Sequence, residues 1–227
     1  MKKNLLFFAL AVGLLTSAST LQAQVNTSRY ITLTVTNGAA IKLNFKAAAD
    51  GTPVRIVSGS NTRNITVGTD WYDNHSPSTF TVTAAASTMT IYGNLTSFNC
   101  SKNGANLTAL DPSHNTQLTE LYCGKNTLSS LDVSKNTQLT GLGCYNNQLT
   151  SLDVSGCTQL KELSCRDNKL TSLDVSGCTQ LTRLYCHGNN FSTAALDDIF
   201  CALPDRTGKG NGVIEPVYSD TSSNHAI

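Results

Sequence analysis

From Leu118 onward the chain writes one 21-residue block three times in succession: LTELYCGKNTLSSLDVSKNTQ, LTGLGCYNNQLTSLDVSGCTQ and LKELSCRDNKLTSLDVSGCTQ. A further copy opens at Leu181, and an earlier one, two residues longer, opens at Leu95. A fixed period of about 20 to 50 residues restricts the fold more than any other feature of a sequence. One unit cannot bury its apolar side chains alone, so successive units must stack into a solenoid or array.

Each unit divides into a 10-residue half, L-x-x-L-x-C-x-x-N-x, and an 11-residue half, L-x-x-L-D-V-S-x-N/C-x-x. Side chains alternate faces along a strand, so in L-x-C the Leu and Cys point inward and the residue between them points out. Both halves match the template of a short strand followed by Asn or Cys, and the array resembles a bacterial leucine-rich repeat class with nested short repeats. The resemblance covers Leu95 to Phe191. It implies a right-handed solenoid stacked in register, in a family with many secreted or surface-exposed members that bind other proteins. The expected fold class is a β-rich leucine-rich repeat solenoid of about five coils with very little helix. At about 4.8 Å per coil the array is a rod of roughly 25 Å.

The repeat also accounts for seven of the eight cysteines. Cys100, Cys123, Cys144, Cys165 and Cys186 fill the inward position of the first half, where Cys packs as a small apolar residue. Cys157 and Cys178 stand where Asn115 and Asn136 stand in earlier coils. Stacked Cβ vectors run parallel, so buried free thiols are expected rather than disulfides. Asn103, Asn126, Asn147, Asn168 and Asn189 form a second ladder, expected to turn inward and bond backbone groups at the bend after each strand.

The start, MKKNLLFFALAVGLLTSASTLQAQ, reads as a secretory signal peptide over residues 1–23, cut after Ala23. Residues 24–93 read as an N-terminal β-module, with ITLTVT, IKLNF, VRIV, FTVT and MTIY alternating between turn signals. The module is expected to cover the open end of the solenoid at residues 94–191. Residues 192–227 read as a C-terminal cap. Ser192 is the N-cap, Leu196, Ile199, Phe200 and Leu203 share one face, and Pro204 stops the helix before a glycine-rich turn and the strand VIEPVY. The polar end suggests a shortened member of its family.

Charged residues make up only 14% of the chain and the formal net charge is +1, so no electrostatic footprint for nucleic acid or anionic lipid exists. With the leader cut, no membrane insertion is expected, and the protein is placed outside the cytoplasm, at the cell surface or in the periplasm. No nucleophile elbow, zinc-protease pair or phosphate loop occurs. Gly208, Gly210 and Gly212 lack the strand-to-helix setting of a nucleotide fingerprint. Ladder cysteines 21 residues apart do not converge on a metal. No enzyme, cofactor or metal site is expected.

Asp111, Asp132, Asp153 and Asp174 recur in the outward position of the second half. The expected reading is a solvated row screened by neighbouring serines, with a cation-binding strip as the alternative. The first-half face instead varies from coil to coil: Tyr122, Gly143, Ser164 and Tyr185 stand between Leu and Cys, while Gly124, Tyr145, Arg166 and His187 follow Cys. A face that varies over a constant scaffold can encode recognition, and Tyr and Arg dominate hot spots. The candidate binding residues are therefore Glu120, Tyr122, Tyr145, Glu162, Arg166, Arg183, Tyr185 and His187. The expected partner is an extracellular protein, with adhesion to host or neighbouring cells as one form of that reading. A glycan stacked on the tyrosines, or a structural spacer role, is the alternative.

Overall fold

The computed structural model describes residues 24–71, 80–205 and 213–215. The expected leader, the glycine-rich turn and the C-terminal tail lie outside these residues. Among the described residues eight strands precede the regular coils: β1 (Tyr30–Val35), β2 (Ala40–Ala47), β3 (Thr52–Ser58), β4 (Asn61–Val67), β5 (Phe80–Thr83), β6 (Thr88–Tyr92), β7 (Leu95–Asn99) and β8 (Leu107–Asp111). Then come β9 (Glu120–Tyr122), β10 (Gly141–Gly143), β11 (Glu162–Ser164), β12 (Arg183–Tyr185), helix α1 (Thr193–Cys201) and β13 (Val213–Glu215). Two sheets result, one in the order β4-β3-β6-β1-β8 and one in the order β13-β12-β11-β10-β9-β7-β2-β5.

Alternation builds the module. Ile31, Leu33 and Val35 of β1 and Ile41, Leu43, Phe45 and Ala47 of β2 are buried, with polar residues between them. The sequence reading missed β4, because NTRNITV has no apolar alternation and only Val67 is buried. Its backbone nevertheless pairs along its whole length with β3, from Thr52↔Val67 to Ser58↔Asn61. Arg63 lies opposite the core residue Ile56, and its guanidinium sits 4.2 Å from the Phe80 ring centroid. A charge turned toward the seam in this way blunts an edge strand.

In the solenoid, β7, β9, β10, β11 and β12 are parallel and in register, with Phe98, Leu121, Leu142, Leu163 and Leu184 stacked one above the next. These five strands enclose four complete turns. Only the first halves form this ladder, contrary to the expectation of a strand in each half. In the second halves the chain turns directly after Val133, Val154 and Val175, whose carbonyls accept from the amides three residues on at 2.8 to 2.9 Å. Coils there join by a bond at the start of each half, as in Gln148 N–H to Leu128 O at 2.9 Å. The one second-half strand, β8, is held by pairing with β1.

The module covers the first coil through both halves at once. Strand β2 pairs antiparallel with β7, and β1 pairs antiparallel with β8. Asn103, first rung of its ladder, accepts from Lys42 N–H at 2.8 Å and donates to Lys42 O at 3.0 Å. At the far end Ser192 caps α1, its Oγ accepting from Ala195 N–H at 3.2 Å. Ile199 is buried and Leu196 and Leu203 pack at its side, but Phe200 is 44% exposed, against expectation. The helix rests on a single i, i+3, i+7 stripe, and Phe200 stands a third of a turn beyond Ile199. Strand β13 then adds parallel to β12, continuing the solenoid sheet. Among the described residues no helix is long and apolar enough to cross a membrane.

Candidate functional site

The outer face owes its regularity to the bend beneath it. Each ladder Asn after Asn103 donates Nδ2 to the cysteine carbonyls of its own coil and of the previous coil. For Asn147 these are Cys144 O at 2.9 Å and Cys123 O at 3.0 Å; for Asn168 they are Cys165 O at 3.0 Å and Cys144 O at 3.1 Å. Their Oδ1 atoms accept from Leu128 and Leu149 N–H, both at 3.0 Å. Ahead of each Asn the backbone is left-handed: φ is 66° at Lys102, 58° at Lys125, 53° at Asn146, 55° at Asp167 and 66° at Gly188. Asn, Asp and Gly tolerate this region, whereas Lys bears its strain. The Asn-Gly-Asp enrichment at that position was a readable signal of the bend.

The thiols behind this face are unpaired, and seven of the eight are buried. Burial pushes the Cys100 and Cys144 thiols up to about 12 and that of Cys186 to about 11. In the row of Asn115, Asn136, Cys157 and Cys178, Asn136 Nδ2 donates to Asn115 O at 3.0 Å and Pro112 O at 3.2 Å, while its buried Oδ1 has no hydrogen-bond partner. In the later coils Cys178 Sγ donates to Val154 O at 3.6 Å. The site uses a donor and leaves an acceptor stranded, which is why a thiol can replace the amide.

On the outer face, register sets Glu120, Gly141, Glu162 and Arg183 in one row and Tyr122, Gly143, Ser164 and Tyr185 in the next. The tyrosines do not stand free. A methyl group at Gly143 would meet Tyr122 Cδ1 at 2.8 Å, and one at Gly141 would meet Tyr122 Oη at 3.2 Å. Tyr122 thus lies across the next coil in space that its two glycines leave. Tyr145 likewise lies on Gly124 of the coil before, where a methyl would meet its ring at 2.5 to 2.7 Å. Both rings are half-buried. Burial raises the Tyr122 hydroxyl above its usual range, with Glu120 and Glu162 adding to this and Arg183 opposing it.

Every charged candidate has a partner. Lys46 Nζ meets Glu120 Oε2 at 3.3 Å, Arg183 Nη1 meets Glu162 Oε2 at 2.8 Å, and Arg166 Nη1 meets Asp167 Oδ2 at 2.9 Å. Arg166 also lies 4.6 Å from the Tyr145 ring centroid. Glu120, Tyr122, Glu162 and Arg183 therefore form one cluster and Tyr145, Arg166 and Asp167 a second, with Tyr185 half-buried on β12. His187 is a correction: it is only 8% exposed. The position after each ladder cysteine is recessed where the strand begins its bend, with Gly124 buried and Tyr145 and Arg166 half-buried.

The sequence reading also missed two residues from the module. Trp71 lies 6.0 Å from the Tyr122 ring, and Lys46 Nζ lies 4.6 Å over Trp71. Nothing in a lone Trp beyond the repeats signals this contact; it follows from the antiparallel docking of β2 on β7.

The aspartate row has a local role. The Oδ1 atoms of Asp111, Asp132, Asp153 and Asp174 accept from Ser113, Ser134, Ser155 and Ser176 N–H at 2.8 to 2.9 Å. These amides, then the serine hydroxyls, hold Asp132, Asp153 and Asp174 below the usual carboxylate range. The screening expected of the serines thus comes first from their backbone. Among the described residues no group of three or more His, Cys, Asp or Glu is placed to hold a metal ion.

Residues 137–175 and 158–199 match the family model for leucine-rich repeats in two copies. No curated protein matches the chain. Among solved structures, the functional domain of InlJ from Listeria monocytogenes, described as including a cysteine ladder, is 33% identical with a TM-score of 0.46. That match covers 54% of this chain and 30% of the other. The Leptospira interrogans leucine-rich repeat protein LIC12759 is 25% identical, covering 47% and 28%, with a TM-score of 0.41. An internalin, InlF, from Listeria monocytogenes is 22% identical, covering 46% and 32%, with a TM-score of 0.38. The chain thus spans a third or less of the length of these three structures.

Proposed function

We propose that this leucine-rich repeat chain is a non-catalytic protein-binding module, exported by its leader, whose contact surface is the outer face of the parallel sheet. One observation carries the reading. At a single register the side chain changes from Tyr122 to Gly143, Ser164 and Tyr185, while the leucine, cysteine and asparagine beneath stay constant. Trp71 and Lys46 extend that face onto the module. Its charges are paired, so binding rests on aromatic and hydrogen-bonding contacts and depends weakly on salt. The glycan alternative is weaker, because Tyr122 and Tyr145 each lay a ring against glycine backbone and Arg166 stands over Tyr145.

The test is capture of extracellular and cell-surface proteins on the immobilised chain, alongside a glycan array. A captured protein should lose about thirtyfold in affinity with Tyr185→Ser, the cost of about 2 kcal/mol at a hot spot. The triple variant Asp132→Asn, Asp153→Asn, Asp174→Asn should keep its affinity. Loss in the Asn triple with retention in Tyr185→Ser moves the site to the aspartate row. Glycan-array binding without protein capture overturns the reading, as does binding of neither.

A further inference from the structure

A second feature lies on the module, away from the strand face. A groove of about 630 Å³ runs between residues 24–27 and the β3–β4 ribbon. Its size suits a small ligand. Among the described residues Arg55 is the one charged side chain lining it, and no carboxylate does. Among the described residues Arg55 forms no ion pair, although the three that exist engage Lys46, Arg166 and Arg183. Its Nε–H is buried without an acceptor. The guanidinium is held by Tyr92, whose ring centroid is 5.2 Å away and whose strand partner across the sheet is Arg55 itself.

A guanidinium on the wall of a groove, positioned by an aromatic face and with no acid among the described lining residues, is set to receive an anion. Guanidinium matches a planar carboxylate best, through two parallel N–H···O bonds. The rest of the lining narrows the ligand. Gln24, Thr27, Asn64 and Thr66 are neutral groups that both donate and accept, as sugar hydroxyls require, and Pro53 offers an apolar surface to a ring's C–H face. We propose that this groove binds an acidic sugar, a hexuronate unit, with its carboxylate on Arg55. The site is independent of the protein-binding reading of the sheet face.

The experiment is titration of the full chain with glucuronate, followed by ligand-detected NMR and calorimetry. Glucose and acetyl-dialanine serve as neutral-sugar and peptide-carboxylate controls. A single sugar of this size should bind at about millimolar strength. Glucose and the peptide should bind at least about tenfold more weakly, since each lacks half of the recognised chemistry. Arg55→Met, which keeps the stem over Tyr92, should abolish glucuronate binding with the circular dichroism spectrum unchanged. Arg55→Lys keeps the charge, loses the fork and should weaken binding about tenfold, which covers the case of a misfolded Met variant. Equal binding of the peptide overturns the sugar assignment. Unchanged binding in either Arg55 variant, or no glucuronate binding at all, overturns the site.

Discussion

Replacing Asn147 by Leu probes the bend on which every coil depends. The asparagine makes three short bonds of 3.0 Å or less, to Leu128 N–H, Cys123 O and Cys144 O. The two carbonyls are not stranded by its loss. Cys123 O keeps Asn126 Nδ2 at 2.8 Å, and Cys144 O keeps Asn168 Nδ2 at 3.1 Å. Leu128 N–H has no such replacement and becomes an unsatisfied buried donor, at about 1–3 kcal/mol. Two weakened carbonyls add about 1 kcal/mol, for a total of roughly 2–4 kcal/mol. At about 3 °C per kcal/mol for a chain of this size, the thermal midpoint should fall by roughly 6–12 °C. The control is Gln148→Leu at the exposed neighbouring position, expected within about 0.5 kcal/mol. Circular dichroism melts measure the midpoints, and hydrogen exchange should show selective loss of protection at the Leu128 amide. Equal midpoints for wild type and Asn147→Leu, or unchanged protection at Leu128, would refute the reasoning.

Native alkylation at pH 8 should label Cys201 alone, and denaturation without reductant should release all eight thiols; mass spectrometry showing paired ladder cysteines would contradict this. Asp132, Asp153 and Asp174 have folded values below their unfolded ones, so their contribution is present above about pH 4 and is lost as pH falls through the lowered values. The triple Asp→Asn variant keeps an accepting Oδ1 and should show a shallower fall of midpoint with acid; an identical pH profile would count against the turn role. Lys125→Gly removes a left-handed lysine and should raise stability by about 0.5–1 kcal/mol in chemical denaturation, while Lys125→Val should lower it.

The repeat made the coils legible because its inward positions are chemically exclusive. Buried apolar side chains, chiefly Leu, Cys and Val, and a backbone-bonding Asn fill them, so Leu142, Cys144 and Asn147 could be placed from the repeat. Ser192 was equally readable, because a helix start has its own local signature. Features set by contact between distant segments were not readable. The polar β4 exists because β3 offers it a full ladder, and Trp71 reaches Tyr122 only because β2 docks on β7. Alternation says which way a side chain leaves the backbone, not where a long ring comes to rest. Tyr122 and Tyr145 left the backbone outward as expected, and then lay down on glycines of adjacent coils. His187 shows the same limit at a bend, where the strand rule no longer applies.

The sharing of the Cys100, Cys123, Cys144 and Cys165 carbonyls, each between two asparagines, has a consequence for how such a chain can change length. The groups that one coil offers the next are the same groups it accepts from the coil before, displaced by 21 residues or slightly more. A tandem copy of residues 139–159 would therefore meet compatible sockets above and below, with no new junction to evolve. The non-repeating joints stand at the two ends, on β1 and β2 and at α1. Duplication in the middle leaves those ends untouched, so the extent of the variable face can grow or shrink by whole coils while the fold beneath it is inherited intact.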